Sequence, residues 1–193
     1  MNKTSFGKRV VLMLSDKRIL ELISSGDLVI DPLREDTVQQ NGVDLRIGQE
    51  IGFHKNEGGI LDLADPNVER FFTVKKLDKE GTVIGSKTAF LLHTEEYISL
   101  PSNIAALCEL RSTLARFGFI APPTVVDAGF KGQLTIEVFW TGANPVRIYP
   151  GIRFLHVIFF EIPGGVLYPY SGSYQGQKGI RLPKSLRSEL KHV

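Results

Sequence analysis

The sequence predicts a mainly β chain, closed into a sandwich, a jelly roll or a distorted barrel. Two observations carry that prediction. Short apolar runs recur along most of the chain, and turn residues separate them. Only two segments have the spacing of a helix.

The first of these opens the domain. Ser15 can cap a helix whose apolar face is Ile19, Leu20, Leu22 and Ile23, and Gly26 closes it. Residues 1–12 read as an N-terminal extension, with Met13 as the alternative start and an extra strand over 9–14 as the plainer reading. Val43, Leu45 and Ile47 then alternate with Asp44 and Arg46, the pattern of a half-buried strand. Further strands are expected at 49–54, 60–63, 71–75, 82–84, 89–93, 96–100, 104–110, 134–140, 146–149 and 154–161. Asn56-Glu57-Gly58-Gly59, Pro101-Ser102, Gly142-Ala143-Asn144-Pro145 and Pro150-Gly151 mark turns between them. The second helical segment, 111–117, is polar at its start and stops at Gly118. The domain runs over 13–163. Residues 164–193 form a Gly-, Tyr-, Ser- and Pro-rich arm, an ordered loop or a mobile one, and a basic tail. From Lys178 onward that tail carries five basic residues against one acid, the pattern of a solvated terminus.

Composition excludes several classes. With 193 residues, 42% hydrophobic, the chain is long enough for one full core. The 23 basic and 21 acidic residues leave a net charge of +2, so there is no electrostatic footprint for nucleic acid. The single cysteine, Cys108, rules out an internal disulfide and the cysteine-rich zinc sites of common nucleobase deaminases; it reads as a buried small hydrophobe. No apolar stretch approaches the roughly 20 residues of a membrane span, and the patch at 10–14 is short for a secretion signal. A cytoplasmic protein without membrane contact is expected. His93 and His156 fall in apolar strands and read as core or interface residues, while His54 and His192 read as exposed. Trp140 and Phe139 read as core or subunit interface.

Three polar clusters interrupt this pattern. Arg111-Ser112-Thr113-Leu114-Ala115-Arg116 sets two guanidinium groups and two hydroxyls at a helix start, donors suited to a polyphosphate but common in any helix opening. Val126-Asp127-Ala128-Gly129-Phe130-Lys131-Gly132 places a carboxylate at a strand end with an aromatic ring three residues on; a plain turn has the same form. Glu137 shares a strand face with Thr135 and Phe139, opposite Leu134, Ile136 and Val138. Partial burial there would raise its pKa and suit a general acid or base.

Together these clusters resemble the dCTP deaminase branch of the dUTPase-like superfamily. Met13-Leu14-Ser15-Asp16, Gln40-Asn41-Gly42-Val43-Asp44-Leu45-Arg46-Ile47-Gly48, Ser99-Leu100-Pro101 and Ser173-Tyr174-Gln175-Gly176-Gln177-Lys178-Gly179 add to the resemblance, which spans about residues 13–184. It implies a dUTPase-like distorted jelly roll or β-barrel with short helices, assembled as a homotrimer with sites between subunits. It also implies zinc-free hydrolysis of dCTP to dUTP and ammonia, with Mg²⁺ bound through the triphosphate and no direct protein ligand to a metal.

By the same resemblance, Glu137 moves the protons, Ser112 orients the water and Arg116 holds Glu137. Arg111 and Thr113, with Tyr174 and Lys178 of the arm, contact phosphates. Asp127 takes the sugar 3′-OH, Phe130 packs under the deoxyribose, and Thr124 and Gln177 complete the base and sugar site. Plain dUTPases usually have an apolar residue at the position of Glu137. Asp127 also suits a dUTPase, so an enzyme taking dCTP to dUMP, ammonia and pyrophosphate is the alternative, with dUTP hydrolysis alone behind it. A non-catalytic nucleotide-binding trimer is the remote one. One segment departs from the family pattern. Between Arg116 and Asp127 the family's hairpin is two residues shorter here, lacks its His and carries Pro122-Pro123, which remove two N–H donors.

Overall fold

The computed structural model describes residues 12–192. Strand β1 (Leu12–Met13) leads into helix α1 (Asp16–Ser25), then β2 (Val29–Asp31), β3 (Val38–Gln39) and the long β4 (Gly42–His54). β5 (Phe72–Lys76), β6 (Thr82–Ile84), β7 (Thr88–Thr94), β8 (Tyr97–Ser99) and β9 (Ile104–Leu110) follow. Helix α2 (Ser112–Phe117) separates them from β10 (Phe119–Ile120), β11 (Thr124–Val126), β12 (Lys131–Gly132), β13 (Thr135–Trp140), β14 (Val146–Ile148) and β15 (Arg153–Glu161). The fold is mainly β, as the sequence predicts.

The caps act as read. Ser15 Oγ accepts from the Arg18 N–H, and Gly26 ends α1 with a left-handed φ of 79°. Gly118 ends α2 in the same way, at φ 105°.

Ten strands form one sheet with the path β10-β13-β7-β4-β15-β9-β11. Its two outermost strands are neighbours in sequence, joined by only Ala121, Pro122 and Pro123. Four virtual bonds span at most about 14 Å, so the sheet must curl until its edges approach. β4 makes the curl possible. Its first half pairs with β15 through Val43–Arg46, and its second half pairs with β7 and β5. The register shifts between Ile47 and Ile51, at a bulge that contains Gly48. The His93 ring fills the space beside Gly48: a Cβ there would lie 2.0 Å from the ring. The core inside the curl includes Val43, Leu45, Ile47, Phe90, Phe154, Val157 and Phe159.

Four expectations need correction. Residues 60–63 are not a strand: Ile60 and Leu63 are exposed, and the Asp62 and Asp65 carboxylates take the N–H groups of Ala64 and Asn67, favouring turns over a ladder. The two strands expected at 43–47 and 49–54 are one bent strand. Asp44 and Arg46 do not face solvent, because β15, Arg111 and the Asp36 loop cover that face of β4 with charged partners. The segment between Arg116 and Asp127 is not a hairpin, since β10 pairs with β13 and β11 with β9. Of the expected extension, Leu12 pairs with Glu161 of β15; residues 1–11 lie outside the described residues.

His93 is buried, with Nδ1 on the Thr94 carbonyl and Nε2 accepting from the Glu50 N–H. Burial holds its pKa below the usual histidine value, against the smaller pull of the Thr94 carbonyl. The unfolded chain therefore binds the extra proton more readily. Stability should be fully present above about pH 6.5 and fall as pH drops through the depressed folded value. Denaturant titrations between pH 8 and 5 should show a shallower loss in His93→Gln than in the parent. Gly48→Ala, which pushes a methyl group into the ring, should cost about 1–3 kcal/mol in the same titration.

Candidate active site

A cleft of about 470 Å³ opens on the outer face of β13, between the end of β11 and the arm. Alternation along β13 turns Ile136, Val138 and Trp140 into the core and leaves Glu137 pointing out. Glu137 is exposed, not half-buried as its apolar neighbours suggest, because the arm crosses this face at Thr135 and leaves the next outward position open. Asp127 stands just past the end of β11 and is also exposed. Phe130 is buried beneath the cleft, its ring 5.8 Å from that of Tyr170. The Gly129 turn that places Phe130 has φ 88° and packs against Pro169, where a Cβ would come within 2.6 Å.

The arm is ordered along the sheet edge. The Tyr170 N–H reaches the Ala128 carbonyl at 2.8 Å, and the Gly176 N–H reaches the Lys131 carbonyl at 2.7 Å. The Gln175 amide bonds Lys131, Gly129 and Tyr170 of the backbone. Gln133 receives the Gly179 N–H on its side chain at 2.6 Å, and its own N–H donates to the Gln177 carbonyl at 2.9 Å. Further on, the Ile180 N–H donates to Glu50 and the Arg181 N–H to Thr135 Oγ1.

Six residues singled out in the sequence line this one cleft: Glu137, Asp127, Phe130, Thr124, Tyr174 and Gln177. Gln177 also spends its amide on the Gln133 carbonyl, at 2.6 Å. The α2 group lies elsewhere. Ser112, Thr113 and Arg116 are exposed on a helix with no buried residue and no side-chain cap. Arg111, just before it, is turned toward the sheet, where its Nε pairs with Asp44 at 2.8 Å. Lys178 is exposed and outside the cleft. Phe117 of α2, Ile120 of β10 and Val125 of β11 are exposed apolar side chains, 67%, 58% and 66% accessible.

Sequence reasoning missed Arg181, which lines the cleft and is its one arginine or lysine among the described residues. It was hidden in a run of basic residues that reads as a solvated tail. His54 is exposed, as expected, yet its ring sits 4.6 Å from Phe72 at the cleft wall. His156 is half-buried, with Nδ1 2.8 Å from Asp44. Cys108 is buried, and burial pushes its thiol up to about 12. Trp140 is core, its indole N–H donating to the Asn144 carbonyl, while Phe139 is partly exposed. Among the described residues no group of three or more His, Cys, Asp or Glu is placed to hold a metal ion, and no helix is long and apolar enough to cross a membrane.

Comparison with known proteins identifies the lineage. Residues 13–162 match the dCTP deaminase-like family model. The dCTP deaminase of Korarchaeum cryptofilum is 57% identical over 175 residues, covering 91% of this chain and 99% of that protein. That of Aeropyrum pernix is 47% identical over 174 residues, covering 90% and 96%. A solved 2′-deoxycytidine 5′-triphosphate deaminase from Agrobacterium tumefaciens superposes with a TM-score of 0.63 at 21% identity, over 79% of this chain and 49% of that one. The likeness to that structure is one of fold.

The arm's bonds to Gln133 give a test of its attachment. Gln133→Ala should raise the rate of tryptic cleavage after Lys178 roughly fivefold, the equivalent of about 1 kcal/mol of lost hydrogen bonding. Mass spectrometry of the early fragments reads this directly.

Proposed function

The chain belongs to the dCTP deaminase-like family, and on that premise we propose that this cleft hydrolyses dCTP to dUTP and ammonia. The observation that carries the reading is Glu137, an outward carboxylate on a rigid strand, in one cleft with Asp127 and the buried Phe130 ring. The base lies toward Glu137, the deoxyribose rests over Phe130, and Asp127 accepts the 3′-OH.

Deamination then needs one group that moves protons twice. Water attacks C4 of the ring and its proton passes to Glu137, which delivers it to N3. From the tetrahedral adduct, the remaining hydroxyl proton travels by Glu137 to the exocyclic amine. The C4–N bond breaks, ammonia leaves and the C4 carbonyl forms. Water and dCTP are consumed, and dUTP and ammonia are formed.

One chain holds the carboxylate but not the groups that would hold the water. Ser112 and Arg116 sit on α2, away from the cleft. A homotrimer in which α2 of one subunit faces the cleft of the next brings them together, and covers the exposed Phe117, Ile120 and Val125. Arg111, Thr113 and Lys178 then meet the phosphates with Arg181 and Tyr174. Mg²⁺ carried by the triphosphate would offset part of the charge those residues meet. The cytoplasm fits this reading, because the substrate is a free nucleotide.

The placement of Asp127 in the same cleft favours a second reading, in which dUTP is cleaved further to dUMP and pyrophosphate. One incubation with dCTP and Mg²⁺ separates the two. Ammonia with accumulating dUTP is the expected result; dUMP and pyrophosphate in step with ammonia would establish the second. Glu137→Gln should lower ammonia release by about 10²–10⁴-fold, and parent-like turnover in that variant would sink the mechanism. Arg181→Ala should raise KM for dCTP about tenfold with little change in kcat, as for a lost charged hydrogen bond to substrate.

A further inference from the structure

We infer that Asp44 is a positioning residue for the reaction, acting through Arg111. The inference rests on the reading above, in which Arg111 contacts the phosphates.

Asp44 lies near the start of β4, 3% exposed, with both oxygens occupied. Oδ1 faces His156 Nδ1 at 2.8 Å. Oδ2 faces Arg111 Nε at 2.8 Å and accepts from Arg153 Nη1 at 3.4 Å. Arg111 Nη1 donates to the Arg153 carbonyl at 3.2 Å. Two of the three guanidinium nitrogens are thereby fixed against the sheet. No protein acceptor among the described residues takes Nη2, which is left for a ligand.

The position of Arg111 in the chain makes this grip consequential. It is the residue from which α2 starts, and α2 has little else to hold it. The helix has six residues, none of them buried, and no side-chain cap. Its attachments are the Arg111 N–H on the Phe154 carbonyl at 2.9 Å, the packing of Leu114 on the core, and the Gly118 turn, whose carbonyl accepts from Thr141. A buried anion beside Nε therefore sets both the direction of Arg111 and the entry of the helix that carries Ser112, Thr113 and Arg116.

Asp44 is itself held from behind. Arg153 also pairs with Asp36 at 3.5 Å, Asp36 pairs with Arg46, and Arg46 pairs with the fully buried Glu96 at 3.1 Å. Charged groups held on several sides have few alternative geometries. A placement error of about 1 Å at a substrate-contacting group costs up to 10²-fold in rate.

A double-mutant cycle in the Glu137→Gln background, where dCTP is consumed too slowly to disturb a binding titration, tests this. Calorimetry with dCTP and Mg²⁺ gives Kd for the four proteins with or without Asp44→Asn and Arg111→Ala. Asp44→Asn alone should weaken binding about ten- to hundredfold. Added to Arg111→Ala, it should change Kd by less than about twofold, because the group it positions is gone. Independent, multiplying losses would overturn the inference, since a merely structural Asp44 weakens binding whether or not Arg111 is present. Thermal melts of all four proteins accompany the cycle. If Asp44→Asn does not fold, Asp44→Glu replaces it, with the charge kept and the reach changed, and the same non-additivity is required. A Glu137→Gln protein that fails to bind dCTP, together with a parent that fails to turn it over, would overturn the functional reading itself. Binding with additive losses would overturn the role of Asp44 alone.

Discussion

The constraint on which the rest of this structure depends is that one strand, β4, serves both halves of a curled sheet. A strand in that position is covered on two sides, so the usual division into a core face and a solvent face is lost. From Gly42 to Gly48 every residue is buried. Val43, Leu45 and Ile47 meet that demand with apolar packing. Asp44 and Arg46 meet it with charge, and their partners follow from it: Arg111, Arg153 and His156 around the acid, and Asp36 and Glu96 around the base. Burial pushes the Glu96 pKa up, and hydrogen bonds from Arg46 oppose that rise.

A buried ion pair is a weak source of net stability, because desolvation consumes most of the Coulombic gain. Removing one partner is another matter, at about 3–5 kcal/mol. The network is therefore better understood as a device of geometry. It joins the Arg34–Glu95 pair, with two contacts of 2.7 Å, to the start of α2. Apolar packing alone would tolerate small slides of the helix. Directional contacts to a fixed carboxylate do not.

Much of this was legible in the sequence, and the misses have physical causes. The N-cap of α1, the glycine stops of both helices and most of the strands follow from local chemistry and alternation. Glu137, Asp127, Phe130, Thr124, Tyr174 and Gln177 converge on one cleft, as their motifs imply. The failures lie where tertiary structure overrides period. Asp44 and Arg46 alternate like solvent-facing residues, and nothing local announces that ion partners will cover them. Residues 60–63 are apolar enough for a strand, but the Asp62 and Asp65 carboxylates take nearby N–H groups and set turns there instead. Arg181 carries no motif, and only the path of the arm shows that it turns into the cleft. The Pro122-Pro123 break is visible in the sequence. That it leaves a crossover between the sheet's two edges is not.

The arm bears on how such a site gains its selectivity. Its tethers run from backbone and amide groups to β12, β13 and Gln133, all within one chain. Ordering such a segment costs about 1–2 kcal/mol per residue in backbone entropy, and here folding itself bears that cost. Binding then surrenders less to the arm than it would if closure waited for substrate. A preformed cover also discriminates less by induced closure. On the proposed reading, selection among nucleotides falls instead on fixed groups: the ring of Phe130, the carboxylates of Asp127 and Glu137, and the cations that Asp44 and the arm hold in place. That is why a buried acid, remote from the reacting carbon, belongs to the account of the reaction.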